Sequence, residues 1–139
     1  MRGSLSRARL LTVALVALVA AAVSVSAASA TTATTTANGF QVTASLSPDT
    51  VSNGQTVAQS ASVKNVSNAA ENVRVRIIGP LATSGPSTFF VTLKPGSTFT
   101  KSISFPAGLL KPGKHTLTVI AVNVKTNAAA QASASITAT

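Results

Sequence analysis

From Phe40 onward, apolar and polar residues alternate with a period of two, and turn residues interrupt the alternation every 8 to 16 positions. A period of two places every second side chain on one face of an extended strand. Seven stretches therefore predict strands with one apolar face each. In FQVTASL the shared face is Phe40, Val42, Ala44 and Leu46. In QTVAQSASVKNV it is Val57, Ala61 and Val63, with Gln59 breaking the stripe. ENVRVRII sets Val73, Val75 and Ile77 against Asn72, Arg74 and Arg76, and STFFVTL aligns Phe89, Val91 and Leu93. TFTKSISF turns Phe99, Ile103 and Phe105 inward, and KHTLTVIAVN does the same with His115, Leu117, Val119 and Ala121. AAAQASASIT alternates Ala130, Ala132, Ala134 and Ile136. The breakers between them are rich in Gly, Pro, Asn and Ser, as in SPDTVSNG, GPLATSGP, KPGS and PAGLLKPG. No helical period competes with this pattern after residue 40.

Short strands with one apolar face bury those faces by stacking two antiparallel sheets. Seven of them in about 100 residues predict an all-β, seven-stranded antiparallel immunoglobulin-like β-sandwich.

Residues 1–30 read differently. Arg2, Arg7 and Arg9 precede the unbroken apolar run LLTVALVALVAAAVSV, and Ala28-Ser29-Ala30 offers small residues before Thr31. This is the pattern of a signal peptide cleaved after Ala30. The competing reading is a retained anchor, since Leu10 to Ala30 is uncharged and close to the length of a membrane span. The run ends in small Ala and Ser with no basic cluster after it, which favours cleavage. The polar segment TTATTTAN, residues 31–38, then reads as a flexible lead. Residues 39–139 remain for the folded domain, secreted or associated with the cell envelope and without a stable membrane span after cleavage.

Composition narrows what such a domain does. The 139 residues include 11 Lys+Arg against 2 Asp+Glu, and no Cys, Trp or Tyr. Without cysteine there is no disulfide framework and no thiolate metal site, so the hydrophobic core alone must hold the fold. Removal of residues 1–30 takes three of the basic residues and neither acid, leaving eight against two, a net charge of +6. A basic exported domain is attracted to anionic surfaces, here envelope polymers or another secreted protein. Nucleic-acid binding calls for aromatic side chains among the cations for base stacking. Four of the five Phe fall in the inward register and only Phe90 does not, so nucleic acid is not an expected partner. Sugar platforms usually present exposed Trp or Tyr, and the chain has neither.

The stretch SPDTVSNGQTVAQSASVKNVSNAAENVRVRI resembles the opening of CARDB-type and NEW3-like bacterial immunoglobulin-like domains. The matching features are the turn at Gly54, the Val63–Asn65 strand end, the small-residue loop Asn68–Ala70 and the Val73–Val75 strand. LKPGSTFTKSISFPAGLLKPGKHTLTVIAVN is similar to their second half, with two Pro-Gly turns and a strand closing on Pro106. The resemblance spans most of Phe40 to Thr137 and implies a fibronectin III-like or CARDB-like sandwich. It implies an adhesion, spacer or accessory module more than an enzyme. His115 stands where the pattern usually has a corner tyrosine, whose hydroxyl bonds back to the preceding loop.

The candidate chemistry is sparse. Asp49, Glu71 and His115 are the groups from which catalysis would have to be built. In a sandwich Asp49 and His115 fall at one end and Glu71 at the other, about 23 Å away across a seven-residue strand. That separation excludes a carboxylate pair, and one acid with one imidazole is too few ligands for a metal. No catalytic residue, cofactor or metal is expected. His115 is expected to cap a carbonyl of LLKPGK as a structural corner. The candidate contacts to an anionic surface are Arg74 and Arg76, projecting from one face, and Lys94, Lys111 and Lys114, expected together in the turns at the His115 end. Lys101 falls in the inward register of its strand, which leaves two readings, an edge strand guarded by a lysine or a bulge. Asn65-Val66-Ser67 is a formal N-glycosylation sequon.

Overall fold

The computed structural model describes residues 30–81 and 87–139. The expected signal segment through Ser29 and residues 82–86, the second half of the GPLATSGP loop, lie outside the described residues. The strands are β1 (Thr31–Ala37), β2 (Phe40–Ser47), β3 (Thr50–Val51), β4 (Thr56–Asn65), β5 (Glu71–Ile78), β6 (Ser87–Leu93), β7 (Thr98–Pro106), β8 (Gly113–Asn123) and β9 (Ala129–Ala138). A 3₁₀ turn, Ala107–Leu109, follows β7. They form a four-stranded sheet, β1-β2-β4-β7, and a five-stranded sheet, β3-β9-β8-β5-β6. All seven strands expected from the alternation are present, and the architecture is a two-sheet all-β sandwich.

Two strands go beyond that expectation. Residues 31–38, read as a flexible lead, instead carry β1, which pairs antiparallel with β2 from Thr31↔Leu46 to Ala37↔Phe40. The turn between them is Asn38-Gly39, both at positive φ (53° and 85°), the two-residue geometry whose twist matches a hairpin. Threonine is β-branched and fits a pleated strand well, so a polar Thr run pairs here without an apolar stripe. The second addition is β3, where the chain crosses between sheets and runs parallel to β9 through Thr50↔Thr137 and Val51↔Ala138. Backbone bonds secure that crossing: Thr137 N–H donates to Asp49 O and Thr139 N–H to Val51 O, both at 2.9 Å.

The core follows the alternation except in β7, an edge strand, where Ile103 of the expected inward face is 43% exposed. Phe40, Val42, Ala44 and Leu46 of β2 are fully buried, as are Val57, Val63, Val73, Val75, Leu117 and Val119. Strand β9, contributing Ala130, Ala132 and Ala134 to this core, packs over β1 and β2. Its short side chains leave room for the bulkier Phe40 and Leu46, and large residues against small ones let facing layers interdigitate. Gln59, the break in the stripe, points inward; its Oε1 is buried without a hydrogen-bond partner among the described residues.

Asn65 ties one end of the sandwich together. Its side chain is fully buried. Nδ2 donates to Ala69 O and Leu93 O, each at 2.8 Å, while Oδ1 accepts from Ser67 N–H (2.9 Å) and Ser67 Oγ–H (2.6 Å). Backbone bonds link Asn65 N–H to Ser97 O and Gly96 N–H to Asn65 O, and the next residue, Val66, donates to Gly39 O. Asn65 therefore joins the end of β4 to the end of β6 and the β6–β7 turn, and Val66 beside it adds the β1–β2 turn.

Candidate interaction surface

Arg74 and Arg76 stand on β5, with Val73, Val75 and Ile77 turned into the core. The pleat sends both arginines to the outer face of the five-stranded sheet, about 6.6 Å apart along the strand. Both are exposed, and neither has an ion-pair partner among the described residues. Pairing fixes their neighbours. Arg74 lies between Phe90 of β6 and Val122 of β8, and Arg76 between Thr88 and Ile120. Phe90 is 72% exposed. The rim of this face holds Asn72 and Thr92, whose hydroxyl donates to Asn72 Oδ1 at 2.7 Å. Val124 joins it there, its N–H donating to Asn72 O at 3.0 Å. A shallow hollow lies beside Phe90, bounded by Asn72, Thr92 and Val124.

The three candidate lysines do not come together. Lys111 in the β7–β8 turn and Lys114 at the start of β8 lie at the same end, beside His115. Lys94 belongs to the β6–β7 turn, where Ser97 N–H donates to Lys94 O at 2.9 Å. One strand, β7, separates the two turns, and an antiparallel strand carries the chain from one end of a sandwich to the other. The expected lysine cluster at the His115 end is thus corrected to a pair, with Lys94 at the opposite end near Asn65. The same topology places Asp49 at the His115 end and Glu71 at the Lys94 end.

His115 is half-buried at the start of β8, and its Nε2 lies 2.6 Å from Lys111 O. A carbonyl only accepts, so Nε2–H is the donor. The imidazole thereby closes the LLKPGK loop onto its own strand.

Lys101 resolves in favour of the edge strand. β7 pairs with β4 alone, in unbroken register from Thr56↔Pro106 to Lys64↔Thr98, without a bulge. Lys101 Nζ lies 5.7 Å from the centroid of the Phe89 ring, which in turn packs against Phe99 at 5.4 Å. The sequon is equally structural, because Asn65 is buried and every polar valence of its amide is used. In the folded chain that side chain is inaccessible to a glycan-transferring enzyme. Among the described residues no three His, Cys, Asp or Glu side chains gather.

The sequence pattern left the outer face incomplete. It marked Arg74, Arg76 and the outward Phe90 but did not connect them with Asn72, Ile120, Val122 and Val124. The signal was available: all of these except Val124 occupy the non-core register of adjoining strands.

No family model and no curated protein matches the sequence. Among solved structures the chain is similar to the CARDB domain of a Pyrococcus furiosus protein, crystallised in complex with di-metal ions. The two are 15% identical, with a TM-score of 0.48, covering 70% of this chain and 84% of that one. It is also similar to a Pseudomonas fluorescens alkylpurine DNA glycosylase bound to DNA with an abasic-site analogue, at 14% identity and TM-score 0.40, covering 67% of this chain. A Listeria innocua β-glucosidase in complex with gluconolactone is a third, at 17% identity and TM-score 0.39, covering 71% of this chain. This chain spans 28% of the glycosylase and 16% of the glucosidase.

Proposed function

We propose that this chain is a secreted, non-enzymatic immunoglobulin-like module of the cell surface or matrix, drawn to anionic envelope polymers by its lysines and arginines. The observation behind this reading is unneutralised charge. Residues 31–139 hold eight cations and two acids, and no cation is ion-paired among the described residues. The cations are spread over both outer faces, both ends and one edge, so their fields add at long range instead of converging on one pocket. That distribution favours loose, salt-dependent attraction to a polyanion. The test is retention of the exported protein on isolated cell envelope across a salt series. Retention at about 0.05 M salt and release at about 0.5 M is expected, because the screening length shortens severalfold over that range. Retention indifferent to salt overturns the reading.

A second reading, homotypic assembly, is favoured by one observation at an edge. Of the four outer strands, β3 has only two residues, β7 carries Lys101 and ends at Pro106, and β6 stops at Lys94-Pro95. β1 has neither a charged side chain nor a proline within it or beside it. Such an edge offers unpaired backbone groups to a second strand. A sedimentation mass that rises with concentration in the absence of any ligand supports this reading, and a constant monomer mass removes it.

A further inference from the structure

We infer that the outer face of the five-stranded sheet around Phe90, Arg74 and Arg76 docks an acidic polypeptide surface of another protein, one with an apolar side chain among its carboxylates. The inference goes beyond charge attraction, because the groups on this face differ in kind from those elsewhere. The end carrying Lys111 and Lys114 also exposes Leu109, at 62%, but its cations are lysines, compact and strongly hydrated charges that hold a polyanion loosely. The outer face of the four-stranded sheet presents Thr34, Thr43, Ser60, Ser62 and Thr100 in register, with Lys64 as its cation. The Phe90 face alone joins arginines to apolar surface. Ile78, Phe90 and Val124 on this face or its rim are 36%, 72% and 52% exposed.

Exposed phenyl and guanidinium groups are the side chains that protein interfaces concentrate, whereas lysine is depleted from them. The other four Phe are placed in or against the core, so the exposure of Phe90 is not forced by a shortage of interior sites. Arg74 and Arg76 have no acid to pair with inside the chain, and each guanidinium fork matches a carboxylate in a bidentate geometry. Their spacing of about 6.6 Å equals that of alternate side chains on an extended strand. Asn72, with Oδ1 engaged by Thr92, keeps its amide N–H groups free as donors at the rim.

Charge complementarity also selects against a second copy. Apposing this face to itself sets arginine against arginine, and the two acids available, Asp49 and Glu71, lie at opposite ends of the sandwich. A polyphosphate chain supplies charge but nothing to cover Phe90 and Val124. The occupant that satisfies both halves of the face is an acidic protein with an apolar anchor.

The test uses the purified chain with synthetic peptides of equal charge, one alternating Asp with Leu and one alternating Asp with Ser, and with polygalacturonate as an anionic saccharide. Binding is followed by titration and by backbone amide shifts. The Asp–Leu peptide is expected to bind about tenfold more tightly than Asp–Ser, a difference of the size one buried apolar contact supplies. Its shifts are expected to centre on Arg74, Arg76 and Phe90. Phe90→Ser should abolish the preference while leaving Asp–Ser binding in place, and Arg74→Gln with Arg76→Gln should weaken both. Lys111→Gln with Lys114→Gln should leave the preference intact. These positions are exposed, and unchanged melting temperatures confirm that the variants fold. Equal binding of the two peptides overturns the inference, as do shifts centred on the Lys111–Lys114 turn. Phe90-dependent binding of polygalacturonate alone assigns the face to a saccharide and overturns it too. A dimer lost on Phe90→Ser assigns the face to a second copy, with the same consequence.

Discussion

Asn65 shows how much of the fold one side chain can hold. Its fully buried amide closes four hydrogen bonds, two as donor and two as acceptor. Asn65→Ala leaves Leu93 O and Ala69 O without these donors, at a cost of about 1–3 kcal/mol for each buried group that stays unsatisfied. Asn65→Asp has nearly the same shape, yet it turns the donating end into an acceptor facing two carbonyls and buries a charge. Urea unfolding should show both variants destabilised by about 3 kcal/mol or more, with Asp no better than Ala. A tolerated Asp would mean that the donor end is not what holds the site. His115 carries a smaller share. Its single bond to Lys111 O is half-buried, so His115→Ala should lower stability by about 1 kcal/mol. For a domain of this size that shifts the melting temperature by about 4–8 °C. Salt-dependent retention on envelope should not change, and an unchanged melting temperature would remove His115 from the framework.

At the scale of the strand, β1 tests the distinction between pairing inward and pairing outward. The two-residue Asn38-Gly39 turn makes Ala37–Phe40 the first hydrogen-bonded pair of the hairpin. Bonded and non-bonded pairs then alternate, so Thr35 faces β2 with its N–H while Thr34 directs its own to the open edge. Proline is tolerated on an edge where the lost N–H faced solvent. Thr34→Pro should therefore leave the melting temperature nearly intact while blocking any strand that adds to β1. Thr35→Pro breaks a ladder bond and should lower it clearly. Self-association that survives Thr34→Pro would move the assembly edge elsewhere. This strand also marks how far the sequence could be read. Strands with an apolar stripe, such as β2, β5 and β8, were legible because core burial imposes their period. β1 lacks that stripe, and its signal was the Asn-Gly turn followed by β2, together with the β preference of threonine. β3 has two residues, too few for any period. The misplacement of Lys94 has another origin: sequence proximity to a turn does not tell at which end of the sandwich the turn lies, and the number of intervening strands does. Phe90 was legible as outward, but its alliance with Arg74 required the β5–β6 register, which no local pattern encodes.

For the whole molecule the question is whether envelope attraction belongs to a patch or to the total charge. Arg76 lies about 20 Å from Lys114, counting the six residues from its β8 partner Ile120 back to Lys114, and Arg74, paired with Val122, lies about 26 Å away. At about 0.15 M salt the screening length is about 8 Å, so the two groups of charge act independently; at about 0.01 M it is about 30 Å and their fields merge. Replacing Arg74 and Arg76 with Glu, or Lys111 and Lys114 with Glu, takes residues 31–139 from +6 to +2 in either case. If attraction follows the summed field, both double variants should lose envelope retention to a similar degree at low salt. The quadruple variant, at −2, should then lose more than the product of the two separate losses. Near 0.15 M the separate losses should simply multiply, since charges beyond a screening length no longer couple. Loss confined to one double variant at low salt would place polymer binding in a local site and end the field description. The peptide preference of the Phe90 face, in contrast, should follow Arg74 and Arg76 at both salt concentrations and ignore Lys111 and Lys114. One pair of variants thus separates what the molecule does as a charged body from what one of its faces does as a docking surface.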